Sequence, residues 1–314
     1  MAGAVASAPA GAGAGAGPGA VPPGVLVLGM HRSGTSAVAG LTARLGLATC
    51  VPDDLIAGQP WNPSGHWESR SLTRLNDRLL AEMGATWWSP PPSGAGYATV
   101  AGRIATSPDE AAGWFDRAHP TGPWVWKDPR TCCTLPFWRR ALDGPVAGIV
   151  VFRHPLDVAA SLRARNSFPV PFGVALWERT NRLLLEHAGG MPLLVTSYDD
   201  LVGDPVAWTE LATGFLFDLD LPVRTGPDLA EAVAGFVDPS LRHSSRSAAG
   251  DDGALPPGTA AVLDALREGV GTHRAFAPPA LDVEDPQVSA ELGSYGPDRP
   301  PGWNRPPWAE EARP

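Results

Sequence analysis

The sequence predicts one doubly wound α/β domain with a mainly parallel sheet and a P-loop-like phosphate loop. Three observations lead there. Short apolar runs of buried-strand type alternate with stretches of helical periodicity. The first such run passes through a glycine-bearing loop directly into a helix, the context a phosphate loop needs. The composition is globular: of 314 residues, 44% are hydrophobic and 18% charged, ample for one large core.

The elements follow in order. Residues 1–23 are Ala/Gly-rich and low in complexity, and are expected to be disordered. Val25–Met30 (VLVLGM) reads as a buried strand, and a helix follows from Thr35 to Leu45. Pro60–Gly65 reads as a loop. Leu72, Leu75, Leu79, Leu80 and Met83 stand at helical spacing and predict a helix over 69–83. The prolines and glycines of 89–96 predict a loop. Strands are expected over 124–127 and 147–152, the second leading into a helix over 156–165. A helix over 173–187, a strand over 192–197 and helices over 205–217, 228–237 and 260–270 complete the pattern. Beyond 277 the chain is Pro-rich and expected to be irregular. The domain boundaries are therefore 24–276, between tails at 1–23 and 277–314. In such sheets ligands sit beyond the carboxyl ends of the strands.

Charge narrows the function classes. A formal net charge of −9 offers no basic face for nucleic acid or an acidic membrane. No apolar run has the length of a membrane span, and the first residues lack the charge and apolar core of a secretory signal. Cys50, Cys132 and Cys133 show neither CxxC nor zinc spacing, which predicts reduced thiols, a cytoplasmic home and no metal. Of 24 Lys and Arg residues, only Lys127 is lysine.

The strongest motif is Gly29-Met30-His31-Arg32-Ser33-Gly34-Thr35-Ser36. Backbone N–H groups and a helix N-terminus make an anion site there. Against the nucleotide-triphosphate pattern GxxxxGK[ST], Gly29, Gly34 and Ser36 fit, but Thr35 stands where the lysine belongs. Arg32 supplies the charge instead. The strand 147–152 ends in Arg153 where a magnesium-binding Asp would stand, so the site reads as built for an anion without a metal. A second segment, Arg153-His154-Pro155 onward to Ser161, again ends a strand and opens a helix. A planar guanidinium suits bidentate phosphate binding.

These residues resemble the PAPS-dependent sulfotransferase family (PAPS is 3′-phosphoadenosine 5′-phosphosulfate). The loop is similar to the family's 5′-phosphosulfate loop. Arg before Ser-Gly-Thr is nearer the glycan and tyrosylprotein branch than the cytosolic small-molecule branch. The resemblance implies that Arg32, Ser33, Gly34, Thr35 and Ser36 hold the 5′-phosphosulfate, and that Arg153 and Ser161 hold the 3′-phosphate. Lys127, in a Lys-Asp-Pro that ends a strand, would stabilise the sulfuryl group in transfer, together with Arg32. Glu68 would be the base that takes the acceptor's proton, with His66 in reserve and His31 packing or touching phosphate. The product would be adenosine 3′,5′-bisphosphate.

The acceptor stays open between small molecules, lipids and glycans. Trp61, Trp67, Trp87 and Trp88 flank its expected side. Tyr198, in a YxDL-like segment, reads as a packing residue. Arg242 and His243 stand where the family adds phosphate contacts. A phosphotransferase with a degenerate P-loop and a non-catalytic nucleotide-binding protein are the alternatives.

Overall fold

The computed structural model describes residues 24–56, 58, 65–142, 146–224, 233, 236 and 255–295. Five strands form one sheet: β1 (Gly24–Leu28), β2 (Trp124–Lys127), β3 (Val146–Phe152), β4 (Leu193–Ser197) and β5 (Gly271–His273), in the order β2-β1-β3-β4-β5. The first four are mutually parallel and β5 is an antiparallel edge. The fold is thus α/β with a mostly parallel sheet, as expected. β1 has β2 on one side and β3 on the other, which makes its carboxyl end a topological switch point.

The helices are α1 (Thr35–Arg44), α2 (Arg70–Glu82), α3 (Ala95–Ala101), α4 (Pro108–Ala118), α5 (Thr131–Ala141), α6 (Pro155–Asn166), α7 (Val170–His187), α8 (Tyr198–Gly203), α9 (Pro205–Phe217), α10 (Pro257–Glu268) and α11 (Pro286–Gly293). Strand side chains alternate between the two faces of the sheet. Leu26, Leu28, Val150, Phe152, Leu193 and Val195 join one core with α2, α4, α5, α6, α7, α10 and α11. Val25, Val27, Ile149, Val151 and Leu194 join a second core with α1, α8 and α9. Both faces are covered, so the strands read as continuous apolar runs rather than alternating ones. Each fully buried Leu or Val contributes about 1.5–3 kcal/mol, and both cores together hold the carboxyl ends of β1–β4 at the same end of the sheet.

The expected strands and the helices of 35–45, 69–83, 156–165, 173–187, 205–217 and 260–270 are present within a few residues. Helices α3, α4, α5, α8 and α11 and strand β5 were not foreseen. The segment beyond 277, expected to be irregular, carries α11 instead. Val288 and Leu292 are buried in the first core, and Glu284 forms a buried ion pair with Arg179 of α7. Apolar side chains at i and i+4 outweigh the prolines there. The expected loop at 60–64, the tail 1–23, Arg242 and His243 lie outside the described residues, as does the 228–237 helix apart from Val233 and Phe236.

Candidate active site

The parallel register brings four strand ends side by side. In spatial order they present Lys127 at the end of β2, the Gly29–Gly34 loop after β1, Arg153 after β3 and Tyr198 after β4. The loop is shaped by backbone that few residues adopt. Gly29 has φ 151° and Gly34 φ 94°, while Arg32 is held at φ 71°. A Cβ on Gly29 would lie 2.3 Å from the Val151 carbonyl oxygen, and one on Gly34 2.3 Å from the Tyr198 ring. Only glycine fits at either position. The Gly29 N–H donates to Cys132 Sγ at 3.2 Å, tying the loop to α5. Thr35 and Ser36 form the first turn of α1, where no side chain caps the helix and no acidic residue stands. The first-turn N–H groups are thus positioned to meet an anion. Ser33 Oγ is buried with no hydrogen-bond partner among the described residues. This cradle fits a phosphate or sulfate group.

The two segments expected to bind phosphate meet directly. Arg32 Nε donates to Ser161 Oγ at 2.8 Å across 129 residues of sequence. Arg153 is buried, with its guanidinium 4.9 Å from the Tyr198 ring centre and its Nε 3.8 Å from Asp157. Tyr198 packs, as expected, while Asp199 and Asp200 face solvent. Burial, then the charges of Arg165 and Arg153, bring the Arg32 guanidinium down to about 10. Like charges held together in a buried place favour an anionic ligand.

Lys127 and Glu68 are also brought together, as a buried ion pair. Lys127 Nζ donates as well to the His66 carbonyl at 3.0 Å. Trp67, between these two, sits at φ 58°, unusual for a bulky residue, which costs about 1–3 kcal/mol. That turn aims the His66 carbonyl and the Glu68 carboxylate at one ammonium. Burial pushes the Glu68 carboxyl up, but Lys127 and Arg130 outweigh it and hold it below the usual range. His66 is buried, its Nε2 has no partner among the described residues, and burial lowers its pKa to about 4. His31 packs on Trp87, ring centres 4.6 Å apart, and burial lowers it strongly.

Two contacts clamp α2, and with it Glu68, to the Lys127 turn. Asn76 Nδ2 donates to Asp128 Oδ2 at 2.9 Å, and Arg130 Nε donates to Asp77 Oδ1 at 2.6 Å. Asn76 Oδ1 in turn accepts from Thr134 Oγ1 and Trp138 Nε1 at 2.8 and 2.7 Å. A fully satisfied buried network of this kind rigidifies its surroundings. Among the expected aromatics, Trp87 stands beside His31 and Trp88 beside Trp87, the two tryptophan rings 5.6 Å apart. Trp67 instead packs against Gly40 and Phe236 in the second core, and Trp61 lies outside the described residues.

Sequence reasoning missed Arg165, Asn76 and the role of Arg130. Arg165 carried a usable signal: it lies four residues after Ser161 on one helix and shares its face. Among the described residues, no group of three or more His, Cys, Asp or Glu side chains is placed to hold a metal ion.

No protein-family model matches this chain, and no curated protein matches it in sequence. Among solved structures it is similar to the "Sulfotransferase Domain from the Synechococcus PCC 7002 Olefin Synthase", at 19% identity and TM-score 0.39, covering 90% of this chain and 97% of that one. It is also similar to the "Sulfotransferase Domain from the Curacin Biosynthetic Pathway", at 14% identity and TM-score 0.40, covering 87% and 98%.

Proposed function

We propose that this chain is a sulfotransferase that moves a sulfuryl group from PAPS to a hydroxyl or amine of a small-molecule, lipid or glycan acceptor. The observation that carries the reading is the Arg32–Ser161 hydrogen bond, which joins two anion-binding motifs into one site. In this reading Arg32, the N–H groups of Ser33–Ser36 and the Ser33 hydroxyl hold the 5′-phosphosulfate. Arg153 and Ser161 hold the 3′-phosphate. Glu68 takes the proton of the acceptor as its oxygen or nitrogen bonds to sulfur. The bond from sulfur to the bridging oxygen breaks, and Lys127 neutralises the charge gathering there. Adenosine 3′,5′-bisphosphate and the sulfated acceptor leave.

The ion pair adds a step. Lys127 and Glu68 begin in contact. As Lys127 turns toward the donor's bridging oxygen, Glu68 loses its strongest cationic partner and becomes more basic when the proton must be taken. The fold serves this reading: among the described residues no helix is long and apolar enough to cross a membrane, and the site lies at a switch point.

The test is ligand-induced stabilisation. Adenosine 3′,5′-bisphosphate should raise the melting temperature without magnesium, adding about 2.7 kcal/mol at 100 times its Kd. Stabilisation by ATP–magnesium but not by the bisphosphate would sink the sulfotransferase reading and favour a phosphotransferase.

A further inference from the structure

Arg165 lies in the last helical turn of α6, between two residues tied to the phosphate loop directly or through Trp87. One turn earlier, Ser161 accepts from Arg32 Nε at 2.8 Å. Three residues later, Phe168 stacks on Trp87 with ring centres 5.9 Å apart, and Trp87 lies against His31 of the loop. A residue at i+4 shares the face of residue i, so Arg165 emerges on the face that carries Ser161. Its charge lowers Arg32, His31 and His66, while the Glu68 carboxylate pulls Arg165 itself upward. Arg165 is itself lowered, by burial first. The groups coupled to it by charge belong to the donor loop on one side and to the proposed base on the other. The transferred group must pass between those two.

We propose that Arg165 holds the sulfuryl group during transfer, bridging the space between Arg32 of the phosphate loop and Glu68. The proposal rests on the sulfotransferase reading above. The sulfuryl oxygens share negative charge throughout the exchange, while sulfur moves from the bridging phosphate oxygen to the acceptor atom. A guanidinium fork can follow two of those oxygens at once, whereas Lys127 serves the bridging oxygen as a point charge. Arg153 and Ser161 remain the 3′-phosphate pair.

The experiment compares two ligands that differ only in the sulfuryl group. Binding of PAPS and of adenosine 3′,5′-bisphosphate is measured by titration calorimetry for wild type, Arg165→Gln and Arg165→Lys. Wild type should bind PAPS more tightly. Arg165→Gln should shrink the ratio of the two affinities by roughly tenfold or more, the value of a lost charged hydrogen bond, with bisphosphate affinity nearly unchanged. Arg165→Lys should retain part of the ratio, which separates charge from fork geometry. Equal weakening toward both ligands would make Arg165 a phosphate contact and overturn the proposal, as would an unchanged ratio. If the wild type bound neither ligand, the donor reading itself would fall, a result distinct from either outcome in the variants.

Discussion

Replacing Glu68 with glutamine separates the structural role of the buried pair from its proposed catalytic role. Glu68 and Lys127 are only 7% and 3% exposed, so neither charge is well hydrated. Removing one member of such a pair costs about 3–5 kcal/mol, because the survivor is left buried and uncompensated. In Glu68→Gln the survivor is Lys127, which keeps the His66 carbonyl at 3.0 Å. That contact places the expected loss near the low end, about 3 kcal/mol. The converse variant, Lys127→Met, leaves Glu68 facing Arg130 and Arg165 and should cost less. The donor changes the balance. Its phosphate and sulfuryl oxygens offer Lys127 the negative charge that glutamine withholds. Glu68→Gln should therefore recover stability on adding bisphosphate, with a larger ligand-induced shift than wild type, even as kcat falls by roughly 10²-fold for want of a base. Urea unfolding at pH 7, with and without bisphosphate, gives the first two quantities. Single-turnover transfer of label from PAPS gives the third. Wild-type stability together with a wild-type ligand shift would refute the argument, since the pair would then neither stabilise the fold nor compete for the donor.

Two further outcomes follow from the same geometry. Gly34→Ala places a Cβ 2.3 Å from the Tyr198 ring at a residue with φ 94°, so it should destabilise the fold by about 1–3 kcal/mol and abolish the bisphosphate-induced rise in melting temperature. Retained ligand stabilisation in that variant would mean that the loop does not bind the anion. His66 and His119 are buried and lowered to about 4, so both are neutral in the folded chain, whereas the unfolded chain binds their protons near 6.5. Their contribution is present above about 6.5 and is lost as pH falls toward 4, about 3 kcal/mol for each. Urea midpoints from pH 7 to 4 should fall with that slope, and His119→Phe should flatten it; an unaltered slope in the variant would show that His119 is not the source.

What was legible in the sequence was what is local. An apolar run, a glycine loop and a helical pattern adjoin in 25–45, and Arg153, Pro155 and Ser161 stand within nine residues, so both segments could be singled out as candidate anion motifs before any contact was known. Helix α5 was hidden by Pro136 inside it, which reads as a breaker. Packing overrides that signal: Cys132, Leu135, Phe137 and Trp138 are all buried. Helix α3 buries only Tyr97 and shows no periodicity to find, and β5 is recognisable only by its pairing with β4. Within the site, the Arg32–Ser161 bond and the Lys127–Glu68 pair needed the sheet order. The left-handed backbone at Trp67, which turned that residue away from the expected acceptor side, has no signature in a residue type that rarely adopts it.

The arrangement of charge accounts for how a chain of net charge −9 can build the proposed anion site. The site's cations fall into two groups. Lys127, Arg130 and Arg153 each stand beside carboxylates: Glu68 for the first, Asp77 and Asp128 for the second, Asp157 for the third. Those carboxylates hold the cations in place at the strand ends and balance part of their charge until a ligand is bound. Arg32 differs. Its hydrogen bond goes to the neutral hydroxyl of Ser161, and burial together with Arg165 and Arg153 lowers its pKa. A half-buried guanidinium beside the like charge of Arg153 is less favourable alone than with an anion at hand. Only that difference counts as binding energy. The left-handed Arg32 and the uncapped start of α1 store energy in the same place. The sheet and its two cores supply the stability that lets the loop keep this shape, so the carboxylates fix the frame and the proposed ligand is met by cations that the frame has already placed.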